Sequence, residues 1–207
     1  MNVTTLALAA LLVLTAGCAG LPREGSAPQY TSKHKHDGRV IDGFQIDRVT
    51  QAPLQIVVMG RFNVAPAEMF DLTSRRLPEW FKAIPAVAWD NSHAAQAGAP
   101  SEGSLRSCEL DGDKLVERME LWREGEIYAY AADMARSTVP FPVEHHLGVF
   151  VVESDGGAGS LVTWRQYYDR KVTPTALFVN MMMRGMMVDG FKVLAAKYGG
   201  ELVEPAV

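Results

Sequence analysis

The chain has 207 residues, 48% of them hydrophobic and 21% charged, which suits one domain with a sizeable core. Its net charge of −4 and the lack of any long basic run exclude a phosphate-neutralising surface, so nucleic acid is not an expected partner.

The first segment does not read as part of a fold. Leu6 to Ala16 is an eleven-residue apolar run broken only by Thr15. A bilayer-spanning helix needs roughly 20 residues, whereas the apolar region of a signal peptide is about this long. The run leads into "LTAGCAG", with small residues directly before Cys18. This resembles the lipobox of bacterial lipoproteins, which implies a signal peptide over 1–18 and lipidation of Cys18. Thr15 departs from the family's preferred leucine, and the first positive side chain is Arg23; an ordinary cleaved signal is the alternative. The resemblance implies membrane attachment through an N-terminal lipid anchor in the cell envelope. In a diderm cell the periplasmic face of the outer membrane is expected, since Ala19 rather than aspartate follows the cysteine. Lipidation would leave Cys108 without a partner, and that residue then reads as a small buried hydrophobe.

Residues 19–50 read as a tether and lead-in, because "GLPREGSAPQYTSKHKHDG" is rich in Pro, Gly, Ser and charge. His34, His36 and Asp37 could hold a stray metal, but a solvated linker is the plainer reading, and no metal site is expected. The folded domain, 51–207, starts near Gly38 or Gln51. "LQIVVMGRF" predicts a strand over Leu54 to Phe62. A helix follows, opened at Asn63 or Ala65 with Pro66 in its first turn. "LPEWFKAIPAV" predicts a second short helix or turn. Five strand-like runs come next: "GSLRSCEL", "DKLVERMELW", "GEIYAYAADM", "EHHLGVFVVES" and "GSLVTWRQYYD". They are separated by turn signals such as Asp111-Gly112 and Glu124-Gly125. "SDGGAGS" joins two of these strands and reads as a hairpin turn, not a phosphate cradle. One long helix from about Pro174 to Tyr198 ends at Gly199-Gly200.

This order predicts an α+β fold in which a curved antiparallel sheet wraps around the last helix. Four strings, "FNVAPAEMFDL", "EGSLRSCELDGDKLVERMELWREGEIYAYAADM", "GSLVTWRQYYD" and "LAAKYGG", resemble the START-like or SRPBCC superfamily and its polyketide cyclase/dehydrase-like branch. The resemblance covers about residues 50 to 202. It implies the helix-grip fold and a deep apolar cavity between sheet and helix. It also implies varied uses: binding of lipid, sterol, quinone or hormone, ring cyclisation, or partner binding.

Within "NMMMRGMMVDGFKVL", Met183, Met187, Phe191, Leu194 and Tyr198 make one helical stripe. The stripe reads either as core or as a cavity wall, for which methionine's adaptability suits a ligand. Soft copper ligation is a third reading. Asn180 lies on the stripe and Arg184 beside it. A guanidinium there must reach solvent, hold a ligand's acidic head, or meet a carboxylate. Solvent is the commoner outcome, and Glu117 is the best candidate carboxylate, sharing the inward parity of Leu115, Met119 and Leu121. Tyr128 and Tyr130 share one strand face, and Trp164 alternates with Arg165. Parity does not decide between His145 and His146; His146 shares that of Phe150. The expected ligand site is therefore Glu117, Tyr128, Tyr130, His146, Trp164, Asn180, Met183, Arg184 and Met187. No cofactor is expected, and no nucleophilic triad or phosphate loop is present in the sequence. The expectation is an exported binding protein for a lipid, isoprenoid or quinone-like molecule. The alternatives are a cyclase-like enzyme, in which a His and a Tyr do acid–base work, and a partner-binding accessory protein.

Overall fold

The computed structural model describes residues 39–171 and 176–203. The expected signal segment, Cys18 and the expected tether as far as Gly38 lie outside the described residues. In chain order the elements are β1 (Val40–Ile41), β2 (Phe44–Gln45), β3 (Leu54–Phe62), α1 (Pro66–Ser74), β4 (Val87–Asp90), β5 (Leu105–Leu110), β6 (Asp113–Arg123), β7 (Ile127–Ala132), β8 (Val143–Ser154), β9 (Ser160–Arg170), α2 (Ala176–Tyr198) and β10 (Gly200–Val203). A 3-10 turn at Leu77–Glu79 follows α1.

β3 to β10 form one antiparallel sheet in the order β10-β3-β9-β8-β7-β6-β5-β4. The five runs after the short helices become β5 to β9, joined as a meander. Asp111 and Gly112, both with positive φ, close the β5–β6 hairpin as their residue types require. Two edge strands, β4 and β10, are additions to the expected set; each is four residues long, too short to show a period.

The sheet is covered on both faces. On the inner face Ile56, Val58, Phe62, Tyr128, Phe150 and Trp164 pack with Met183, Met187, Phe191 and Leu194 of α2. On the outer face Val57, Met59, Leu147, Val149 and Val151 pack under Ile41 and Ile46. This double burial explains why "LQIVVMGRF" and "LGVFVV" are nearly continuous apolar runs. The described fold thus includes residues ahead of Gln51, which the sequence assigns to the lead-in. Residues 39–50 form the β1–β2 hairpin and a 3-10 turn, and Ile41 and Ile46 are fully buried. Arg39 fastens this cover by donating to the carbonyls of Ala52 and Thr50, at 2.8 and 2.7 Å.

α1 starts as its sequence dictates, with Pro66 at its first position and Glu68 in its first turn. Its C-terminal carbonyls find partners beyond the helix. Asp71 accepts from the backbone N–H groups of Arg75 and Arg76. Leu72 accepts from Trp80 Nε1 at 2.9 Å, Thr73 from the Tyr128 hydroxyl at 2.6 Å and Ser74 from Arg106 Nη1 at 3.0 Å. All four otherwise orphaned carbonyls are satisfied, three of them by side chains.

α2 is held unevenly. Its far end is pinned where Glu79 accepts from Lys197 Nζ and the Tyr198 hydroxyl, at 3.0 and 2.8 Å. There Gly190 allows the closest approach, because a Cβ on it would sit 2.7 Å from the Phe81 ring. Its first half shows Phe178, Met181 and Met182 to solvent.

Candidate functional site

A cavity of about 70 Å³ lies between the inner face of the sheet and the first half of α2. Its apolar end is formed by Leu77, Phe81, Met183, Met186 and Met187. Its polar end gathers Arg106, Glu117, Tyr130, His146 and Gln166. Outside, a groove of about 390 Å³ runs between Trp80–Ala83 and α2. Phe81 and Met186 line both spaces and form the partition between them.

The polar end is built on strand register. Arg106 of β5 and Glu117 of β6 are direct cross-strand partners. Arg106 Nε donates to Glu117 Oε2 at 2.8 Å, and both side chains are almost fully buried. Cys108 Sγ donates to the same oxygen at 3.3 Å. The Arg106 guanidinium lies 4.8 Å from the Tyr130 ring centre. Burial works against its charge, and the carboxylate of Glu117 together with Cys108, Tyr128 and Tyr130 more than offsets that, holding Arg106 above its usual pKa. Burial and the neighbouring Glu117 both push the Cys108 thiol up, which keeps it protonated and unreactive.

Tyr130 stands across Gly148, and a Cβ at that position would lie 2.2 Å from the ring's Cζ. Glycine is therefore what lets the phenol reach the cavity. Its oxygen accepts from Trp164 Nε1 at 2.9 Å and Gln166 Nε2 at 3.0 Å. With its amide nitrogen so engaged, Gln166 turns Oε1 toward His146 Nε2 at 2.5 Å. That nitrogen must carry the ring proton, which leaves Nδ1 as a bare lone pair. His146 Nδ1 is buried and has no hydrogen-bond partner among the described residues. Burial lowers the pKa of His146, against the opposing pull of Glu117 and Gln166.

Of the expected ligand residues, the fold brings Glu117, Tyr130, His146, Trp164, Met183 and Met187 together around the cavity. Three do not join them. Tyr128 is fully buried behind Tyr130 with its hydroxyl spent on Thr73. Asn180 is an anchor, accepting from the Tyr168 hydroxyl at 2.8 Å and donating to Gln55 Oε1 at 3.0 Å. Arg184 is exposed on the outer face of α2, the commoner of the outcomes open to it, and the candidate Glu117–Arg184 pair does not form. Solvating that guanidinium avoids its desolvation, and Arg106 already neutralises Glu117. The ambiguity between the histidines is resolved by a bulge between Glu144 and Leu147. His145 takes positive φ there and faces solvent, bonded to Asp169 at 2.8 Å, while His146 faces in. Sequence reasoning passed over Arg106 and Gln166. Arg106 sits in the alternating pattern of "SLRSCEL" at a position where arginine ordinarily marks the solvated face. Among the described residues no group of three His, Cys, Asp or Glu is placed to hold a metal ion, and no helix is long and apolar enough to cross a membrane.

No family model and no curated protein matches the chain. Solved structures do. The protein XoxI from Bacillus cereus superposes with a TM-score of 0.55 at 22% identity, covering 69% of this chain and 94% of its own. A Thermobifida fusca protein solved by NMR gives 0.55 at 19% identity, covering 70% and 92%. The di-domain ARO/CYC BexL from the BE-7585A biosynthetic pathway gives 0.52 at 15% identity, covering 67% of this chain and 44% of its own. The sheet, the long C-terminal helix and these likenesses establish the helix-grip α+β fold. At such identities they speak to fold and assign no activity.

Two outcomes are expected at this site. Glu117→Leu and Arg106→Met should each destabilise the protein by about 3–5 kcal/mol, since each leaves a buried charge unpaired. The double variant should fall short of the summed loss by at least ~1 kcal/mol in denaturant titrations, whereas strict additivity would mean that the pair is not coupled. The second outcome follows from the depressed pKa of His146. The unfolded chain takes up a proton near the ordinary value of 6.5 while the folded chain does not. His146 therefore contributes stability that is present above that pH and is lost as pH falls below it. Stability measured between pH 7.5 and 5 should drop more steeply for the parent than for His146→Phe; parallel curves would contradict it.

Proposed function

We propose that this is an envelope-tethered binding protein for an apolar or amphipathic small molecule, lipid-, isoprenoid- or quinone-like, held between the sheet and α2. The observation that carries the reading is the cavity itself: an apolar end walled by methionines and a charge-balanced polar end, divided from an outer groove by Phe81 and Met186. The inner space alone is far below the ~300–1,000 Å³ of ordinary ligand pockets. Swinging Met186 and Phe81 aside joins it to the groove and brings the total into that range. Methionine suits such a moving wall, having three rotatable bonds and a shape that repacks with little strain. The pinned far half of α2 would stay in place while the near half gives.

The tether supports the same reading. Twenty residues lie between Cys18 and Arg39, so the covalent chain can span at most about 70 Å. A lipidated Cys18 would hold the domain within that distance of a bilayer, where the exposed Phe178, Met181 and Met182 offer an apolar approach to the groove. A cyclase-like enzyme is the second reading, favoured by a neutral His146 and Tyr130 facing one cavity; turnover abolished by His146→Phe would select it. A partner-binding role is favoured by the exposed methionines, and binding of a partner with the cavity blocked would select that.

Replacing Met183 and Met187 together with leucine should cost under about 1.5 kcal/mol each and preserve binding of a fluorescent fatty-acid or quinone probe. Replacing both with tryptophan should keep the fold and weaken probe binding at least ~10-fold, equivalent to about 1.4 kcal/mol. Thermal unfolding beside probe displacement decides it: a tryptophan variant that unfolds, or that binds like the parent, makes these residues plain core. Cys18→Ser should move the protein from the membrane fraction to the soluble one and leave unprocessed precursor, because stable anchoring depends on the acyl chains. Unchanged fractionation and processing would refute the tether.

A further inference from the structure

The hydrogen-bond inventory of the polar end is unbalanced, and the imbalance specifies a chemistry. His146 Nδ1 is a buried acceptor without a donor among the described residues. Tyr130 has the complementary lack. Its oxygen already accepts from Trp164 and Gln166, and no hydrogen bond is found in which its own proton is given to a described residue. The two rings face the same cavity with centres 5.8 Å apart. Arg106 and Glu117 neutralise each other, so no net charge awaits a counter-ion.

We infer that the polar end of the cavity recognises an uncharged hydroxyl group, an alcohol or phenol at the end of an apolar body, which donates to His146 Nδ1 and accepts from the Tyr130 hydroxyl. This rests on the reading of the cavity as a ligand site and names the chemical class of its ligand. A ketone or quinone oxygen can accept from Tyr130 but leaves Nδ1 unsatisfied. An ether has the same defect. A carboxylate accepts only, and brings a charge that Glu117 repels and that Arg106 is not free to balance. The space of about 70 Å³ holds a hydroxyl and the carbons next to it, while the remaining chain runs past Met183 and Met187 toward the partition.

The test is a matched trio of probes, 2-dodecanol, 2-dodecanone and 2-methoxydodecane. Each is titrated into the purified full-length protein and followed by the fluorescence of Trp164 and its neighbours. The alcohol should bind roughly tenfold tighter than the other two, the worth of one hydrogen bond to an otherwise unsatisfied group. His146→Phe should bind all three within about twofold of one another, at the parent's affinity for the ketone. His146→Asn, whose Oδ1 takes the place of Nδ1, should restore the preference. If His146→Phe fails to fold, the parent's ranking and the asparagine variant still decide. Equal binding of the three by the parent, tighter binding of the ketone, or an undiminished preference in His146→Phe overturns the inference and leaves the binding function standing. Failure of all three to bind overturns both.

Discussion

The buried pair of Arg106 and Glu117 is the constraint on which the inner face depends. Its members are cross-strand neighbours, both shielded from water, and neither is affordable without the other. Arg106 is also tied to the Ser74 carbonyl, where a cation meets the negative end of the α1 dipole. One guanidinium therefore fastens a helix end, a carboxylate and the face of Tyr130 at once. Because the pair is self-neutralising, the cavity beside it can be polar without being charged. That separates a site that reads hydrogen-bonding pattern from one that attracts ions.

The second organising feature is the sheet's two-sided burial. β3, β9 and β8 lie side by side between β10 and β7 and are apolar on both faces. The outer face is sealed by residues 39–50, which leaves the inner face free to enclose space rather than merely exclude water. α2 closes that space asymmetrically. Phe191, Leu194 and the Glu79 contacts fix its far half in rigid aromatic and polar packing. The near half covers the cavity with flexible thioethers, and four of its apolar side chains, Phe178, Met181, Met182 and Met186, face solvent. Packing of this kind places low local stability next to the cavity and high stability away from it, the distribution expected where a wall has to move.

The structural neighbours share the architecture and little else, at 15–22% identity. A fold that widely reused says where a ligand can sit and leaves its chemistry to the lining. Here the lining is specific. Gly148 makes room for Tyr130, Gln166 sets the tautomer of His146, and Met186 and Phe81 divide inside from outside.

Much of this architecture was legible from the chain alone, because its determinants are local. Alternation, Asp-Gly turns and the position of Pro66 marked β3, α1 and the meander, and the three-and-four spacing of Met183, Met187, Phe191 and Leu194 marked the buried stripe of α2. Six of nine expected site residues meet at the cavity for the same reason: strand parity and helical phase carry from one residue to the next. What failed was whatever depends on a partner element. A bulge between Met119 and Leu121 turns Leu121 to the outer face and Trp122 to the inner, breaking the parity that had placed Leu121 inside. A second bulge decides between His145 and His146. Glu117 was placed correctly and paired wrongly, since the register that sets Arg106 opposite it is a property of two strands and appears in neither alone. Arg184 looked inward on a helical wheel, yet where a helix rotates against a sheet is settled by summed burial, and turning a guanidinium to water is cheaper than finding it a second carboxylate. Period is written in the sequence; register, bulge and rotation are decided only when the surfaces meet.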